Sequence, residues 1–138
     1  MTFTSRLALS LLLLRAGVAI VMLVWSVDKL ARPEHAAGVF AAFYAMPGLG
    51  EPVFYALGIA QLALVLAFLA GLAKTVTYGA ILVMHAISTL SSYGQYLAPF
   101  EGANILFFAA WPMLAACGAL FLLRDQDSLA SLGSRGRS

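Results

Sequence analysis

Four apolar runs, each close to the thickness of a bilayer, leave this chain few ways to fold. They cover residues 7–27, 53–73, 75–93 and 103–123, and the third is the most polar. A helix needs roughly 20 mostly apolar residues to cross the hydrocarbon layer. In lipid every backbone N–H and C=O must be satisfied within the protein, which admits helices and closed barrels only. Runs of this length predict helices. The expected fold class is therefore all-α: a polytopic membrane four-helix bundle. Of the 138 residues, 62% are hydrophobic and 10% charged, against about 45–50% and about 25% in soluble domains. The bilayer is thus the expected first partner.

The four spans form one membrane domain, residues 1–123, followed by a polar, Gly/Ser-rich tail, 124–138, expected to be mobile. Within the long first loop, 28–52, the stretch "PEHAAGVFAAFYAMPG" predicts a short amphipathic helix that begins after Pro33 and stops at Pro47. A cleaved signal peptide is the competing reading of the N-terminus. Arg15 interrupts its apolar region and no A-x-A-like site follows, so a retained span is expected. Basic residues orient the spans: termini in the cytoplasm of a bacterial-type inner membrane place Arg6, Lys74, Arg124, Arg135 and Arg137 there, leaving Lys29 and Arg32 outside.

Several kinds of chemistry are absent from the sequence. Cys117 is the only cysteine, which excludes an intramolecular disulfide or a cysteine metal cluster and suits a small packing residue. With only His35 and His85, in different regions, no metal site is expected. A net charge of +2 without a basic, aromatic-interleaved stripe gives no sign of nucleic-acid binding. No P-loop, dinucleotide fingerprint or Ser/His/Asp set is present.

Polar residues inside the spans carry what functional signal there is. In the third span Tyr78, His85, Ser88, Thr89, Ser92 and Tyr96 fall within about 60° of one meridian at 100° per residue. Such a face belongs inside the bundle or against a partner. Two readings stand. In one, His85, Ser88, Thr89, Ser92 and Gln61 line a cavity and bond the carbonyls of a quinone, with Trp111 and the tyrosines against its ring. In the other they are interhelical glue. The quinone reading puts the cavity between spans one, three and four, with His85 and Trp111 on its wall. In the second span Ala56, Ala60, Ala63, Ala67 and Ala70 recur on one face, which predicts close helix packing. In the fourth, Asn104, Trp111 and Gly118 align, and Pro112 predicts a kink.

Arg15 poses the sharpest problem. In "LLLLRAGVAIVMLVWSVDKL" no acidic residue lies near it before Asp28. About 12 Å up its span, it can snorkel to the nearer headgroups. Asp125 and Asp127, just after the last span, offer carboxylates on the same side, and such a pair would clasp the first helix to the end of the last. A bound anionic substrate is the third way to answer the charge.

"LLLRAGVAIVMLVWSVDKLARP" resembles the opening helix of DoxX-like membrane proteins through Arg15, Lys29, Leu30 and Pro33, and "GALFLLRDQDSLASL" resembles their closing segment through Gly118, Arg124, Ser128 and Leu129. The likeness covers about residues 9–132. Ser26 and Val27 stand where a glycine is frequent, and Gln61 where the second helix often carries a glutamate, which removes an ionisable group from the membrane. The resemblance implies a four-helix bundle connected to quinone-linked oxidation, as in the small subunits of thiosulfate:quinone oxidoreductase. It equally implies accessory proteins, as in methylamine dehydrogenase maturation. The function expected is an integral membrane subunit of a quinone-linked oxidoreductase assembly. The alternative is a non-catalytic subunit docked on a larger membrane enzyme. Other membrane subunits or further copies of the chain are the protein partners expected.

Overall fold

A computed structural model describes residues 1–134, and among them there is helix but no strand. Six α-helices run α1 Phe3–Ala31, α2 Pro33–Phe43, α3 Glu51–Leu69, α4 Lys74–Ser91, α5 Tyr93–Leu97 and α6 Ala110–Leu122. A 3₁₀ segment, Asn104–Ala109, leads directly into α6. The Phe3–Ala31, Glu51–Leu69 and Asn104–Leu122 helices are long and apolar enough to cross a membrane.

Local chemistry sets the ends of these elements. Thr2 caps α1, its hydroxyl oxygen accepting the Ser5 N–H at 3.2 Å. Pro33 disfavours helical geometry at Arg32, so α1 stops, and the same proline starts α2 as its first residue. At the far end of α2, Ala45 takes the left-handed φ of 52° usually given to glycine. The Tyr44 and Met46 N–H groups both bond the Phe40 carbonyl, closing the helix before Pro47 is reached. Gly71, at φ 69°, reverses the chain between α3 and α4.

Helix α1 packs against α3 and α6, and α4 packs against the other sides of α3 and α6, while α2 lies across α1 and α3. Leu11, Val18, Met22, Val65, Phe68 and Ile81 fill the middle. The polarity of a soluble protein is inverted. Arg15, Ser26, Gln61, Thr77, His85, Thr89, Ser92 and Asp127 are buried, while Leu13, Ile20, Val24, Ile59, Val83 and Ile87 are exposed. So many exposed apolar side chains along the long helices suit lipid and are costly in water.

Two packing expectations are corrected. The alanine face of α3 turns to its neighbours only in part: Ala56, Ala60 and Ala63 are exposed and Ala67 and Ala70 half-buried, whereas Phe54, Gly58, Gln61, Val65 and Phe68 are buried. The close approach falls at Gly58, where a Cβ would stand 2.8 Å from the end of the Leu30 side chain. Pro112 lies in the first turn of α6, where its missing donor goes unnoticed. The irregularity is upstream, where 3₁₀ passes into α at Ala110.

Candidate functional site

The buried charge and the polar stripe resolve into two separate places, one at each end of the molecule. At the end carrying the chain termini, the tail that composition marked as mobile folds inward through residue 134, with Asp127 and Ser131 buried. Arg135 and Arg137 lie outside the described residues. Arg15 and Asp127, each 0% exposed, form an ion pair at 3.0 Å. The Arg15 guanidinium also donates to the Tyr78 hydroxyl at 3.2 Å and to the Leu129 and Ala130 carbonyls at 2.7 and 3.0 Å. Tyr78 in turn donates to the same Asp127 oxygen at 2.6 Å.

Removing both charges from water costs several kcal/mol per ion, and attraction offsets that cost only when further hydrogen bonds complete the shell. Four acceptor contacts on the two terminal nitrogens of the guanidinium supply most of that shell, while Arg15 Nε and Asp127 Oδ1 are buried without a partner among the described residues. Arg15 therefore has no need to snorkel: the chain brings acceptors to it. Asp125 is exposed and takes no part in the pair. Lys74 adds a second cation by donating to the Asp127 carbonyl.

Gly71 makes the fold-back possible. Its α-carbon faces Ser131 and the guanidinium so closely that a Cβ would collide with the Ser131 hydroxyl and stand 3.2 Å from Arg15 Nη1. The Leu132 N–H then bonds the Ala70 carbonyl at 2.9 Å, fastening the tail to the α3–α4 turn. Tyr78, Gly71 and two backbone carbonyls are the members of this cluster that sequence pairing of Arg15 with the acidic tail omits. The polar stripe already held Tyr78, but backbone acceptors leave no mark in a sequence.

Helix α4 distributes the rest of its stripe in two directions. His85, 1% exposed, is turned to α6, where Nε2 donates to the Ala110 carbonyl at 3.0 Å. A carbonyl can only accept, so the proton is on Nε2, and Nδ1 has no hydrogen-bond partner. The Thr89 hydroxyl donates to the His85 carbonyl at 2.7 Å, and the Tyr96 hydroxyl donates to the Thr89 carbonyl at 2.8 Å. Ser88 and Ser92 instead face the loop end of α1 and the helix α2.

There a cavity of about 860 Å³ opens between α1, α2, α3, α4 and α5, walled by Trp25, Phe43, Tyr44 and Met84, with Lys29, Gln61, Ser88, Ser91 and Gln95 among its polar groups. A second, of about 380 Å³, shares Trp25, Lys29 and Ser88 and reaches His35, Ser92 and Phe107. Gln61 lines the first, Ser92 the second and Ser88 both. His85 and Trp111 line neither. His85 stays behind Trp25, their ring centroids 6.0 Å apart. Trp111 is 44% exposed on the outer side of α6, against Tyr96. The cavity expected between spans one, three and four therefore lies elsewhere, because α2 folds back to form its wall. Besides Trp25 of α1 and Tyr93 of α5, its aromatics Phe40, Phe43 and Tyr44 come from "VFAAFY" in the first loop, a stretch legible as an amphipathic helix but carrying no polar motif.

Among the described residues no three of His, Cys, Asp and Glu stand close enough to hold a metal ion. Compared with family models, curated proteins and solved structures, the chain matches none.

Proposed function

We propose that this chain is a DoxX-like integral membrane protein, a four-span bundle that serves as a quinone-binding subunit of a membrane oxidoreductase assembly. Helix α4, packed against the membrane-length helices α3 and α6 and exposing Val76, Val83, Ile87 and Leu90, is the fourth span, and both termini lie in the cytoplasm of a bacterial-type inner membrane. Arg6, Lys74 and Arg124 stand at the terminal end, in keeping with that orientation. The loop-end cavity then opens toward the outer face.

The observation carrying this reading is the cavity itself. Its volume is of the order that small-molecule sites occupy, and it sets flat apolar walls against a few convergent donors. The Gln61 amide and the Ser88 hydroxyl, from facing helices, can each donate to a carbonyl oxygen, and Trp25 and Phe43 can hold a ring between them. These residues fit a quinone head. When bound, such a group accepts two electrons and two protons; the chain's own part is to hold and orient it and to exclude water. His85 has no role in that contact, since its donor is committed to Ala110.

Purification from native membranes tests the proposal. Quinone should be extractable with the protein, and Gln61→Leu with Ser88→Ala should lower its retention roughly tenfold, about 1.4 kcal/mol. A wild-type protein free of quinone would overturn it. One observation favours the non-catalytic alternative: His85, the histidine within the spans, faces away from the cavity. On that reading a larger enzyme co-purifies while no quinone does.

A further inference from the structure

Lys29 stands on the wall of both cavities, half-buried near the end of α1. An ammonium has three N–H donors. Here one reaches the Trp25 carbonyl at 3.3 Å. The carboxylate beside it in the chain is committed elsewhere: Asp28 Oδ1 accepts from Arg32 Nε at 2.8 Å, and Oδ2 lies 2.8 Å from His35 Nδ1. Neighbouring residues on a helix point about 100° apart, so Lys29 reaches the larger cavity while Asp28, bonded to Arg32 and His35, borders only the smaller one. Arg32 and His35 hold the Asp28 carboxylate, whose charge still acts on Lys29 from the wall of the smaller cavity, and among the described residues Lys29 is the one charged group on the wall of the larger cavity. Gln61 and Gln95, the other strong polar groups of the larger cavity, carry no charge.

We propose that the cavity selects an acidic aromatic ring compound, one that places an anionic oxygen on Lys29 and its planar body against Trp25 and Phe43. Within the quinone reading, on which this rests for the ring, the class is a hydroxyquinone in its deprotonated form rather than a neutral quinone. A neutral ring uses Gln61 and Ser88 alone. An anionic ring adds a charge-assisted hydrogen bond in a partly desolvated site, where such bonds are strongest. The aromatic wall disfavours small hydrated anions, which would lose water without gaining contact.

Trp25 reports on its own cavity, and Trp111, the second of two tryptophans, can be silenced. In a Trp111→Phe background, in neutral detergent at pH 7, quenching of Trp25 fluorescence is titrated with 2-hydroxy-1,4-naphthoquinone, an anion, and 2-methyl-1,4-naphthoquinone, which is neutral. The anion should bind about tenfold more tightly. Lys29→Met, which keeps an apolar stem, should abolish that preference while leaving the neutral compound within about twofold; Lys29→Arg should retain it. Equal binding of the two compounds by the wild-type residue overturns this inference and leaves the quinone reading standing. A preference that survives Lys29→Met overturns it as well. Binding of neither compound overturns both.

Discussion

Arg15 shows how a single residue can organise chain far from it in sequence. Its donors are met by Tyr78, 63 residues away, and by Asp127, 112 residues away. Breaking such a buried pair by removing one partner strands the other, at a cost of about 3–5 kcal/mol. Arg15→Ala and Asp127→Ala should each lose that much in detergent unfolding. Because both remove one interaction, the double variant should lose clearly less than the sum. Asp125→Ala, on an exposed residue outside the pair, should stay within about 0.5 kcal/mol. Additive losses for the first two would dissolve the clasp. Gly71 belongs to the same cluster. Gly71→Ala forces a side chain into left-handed backbone and against Ser131, so a loss of about 1–3 kcal/mol is expected, read by the same unfolding measurement.

Helices α3 and α4 each carry two faces, and contacts rather than composition decide which is which. On α3 the small-residue row Ala56, Ala60 and Ala63 faces outward while Gly58 meets Leu30. Ala60→Leu and Ala63→Leu should therefore leave the fold of the isolated protein within about 0.5 kcal/mol. Gly58→Val should cost about 1–3 kcal/mol by overpacking α1 against α3. Equal effects on both faces, in parallel thermal melts, would contradict this assignment. On α4, His85 ties the helix to the junction where 3₁₀ passes into α6. His85→Leu leaves the buried Ala110 carbonyl without its donor, and about 1–3 kcal/mol of stability should go. Any folded fraction should still retain quinone, since His85 does not line the cavity. Loss of retention in a folded His85→Leu protein would return the histidine to the site.

At the scale of the molecule, orientation in the membrane remains the broadest claim, and labelling addresses it directly. Single cysteines at Glu34 and Gln126, in a Cys117→Ala background, occupy exposed positions at opposite ends of the structure. An impermeant reagent added outside intact cells should label position 34 and spare 126. Labelling of both positions from one side would overturn the four-span topology. Gly133 is a poor reporter for the tail, because a Cβ there would crowd the Gly71 carbonyl.

Hydrophobic run length, a property of consecutive residues, determined by itself that the chain is helical and where three membrane-length helices lie. Proline and glycine punctuation did the same for α2, confined between Pro33 and Pro47. The acidic tail made Asp127 available to Arg15 in the sequence, but two carboxylates stood two residues apart. Only the fold-back at Gly71 buries one and leaves the other in solvent. Helical periodicity likewise put Tyr78, His85, Ser88 and Ser92 on one broad face. Such a face spans two neighbours, and the positions of α1 and α6 sent Tyr78 to Arg15, His85 to Ala110 and the serines to the cavity. The cavity is the least local feature of all. Its walls come from α1 to α5, and no short-range pattern records how far α2 folds back over α1 and α3. Periodicity is a property of one helix, whereas a site needs the relative placement of several, and packing sets that placement.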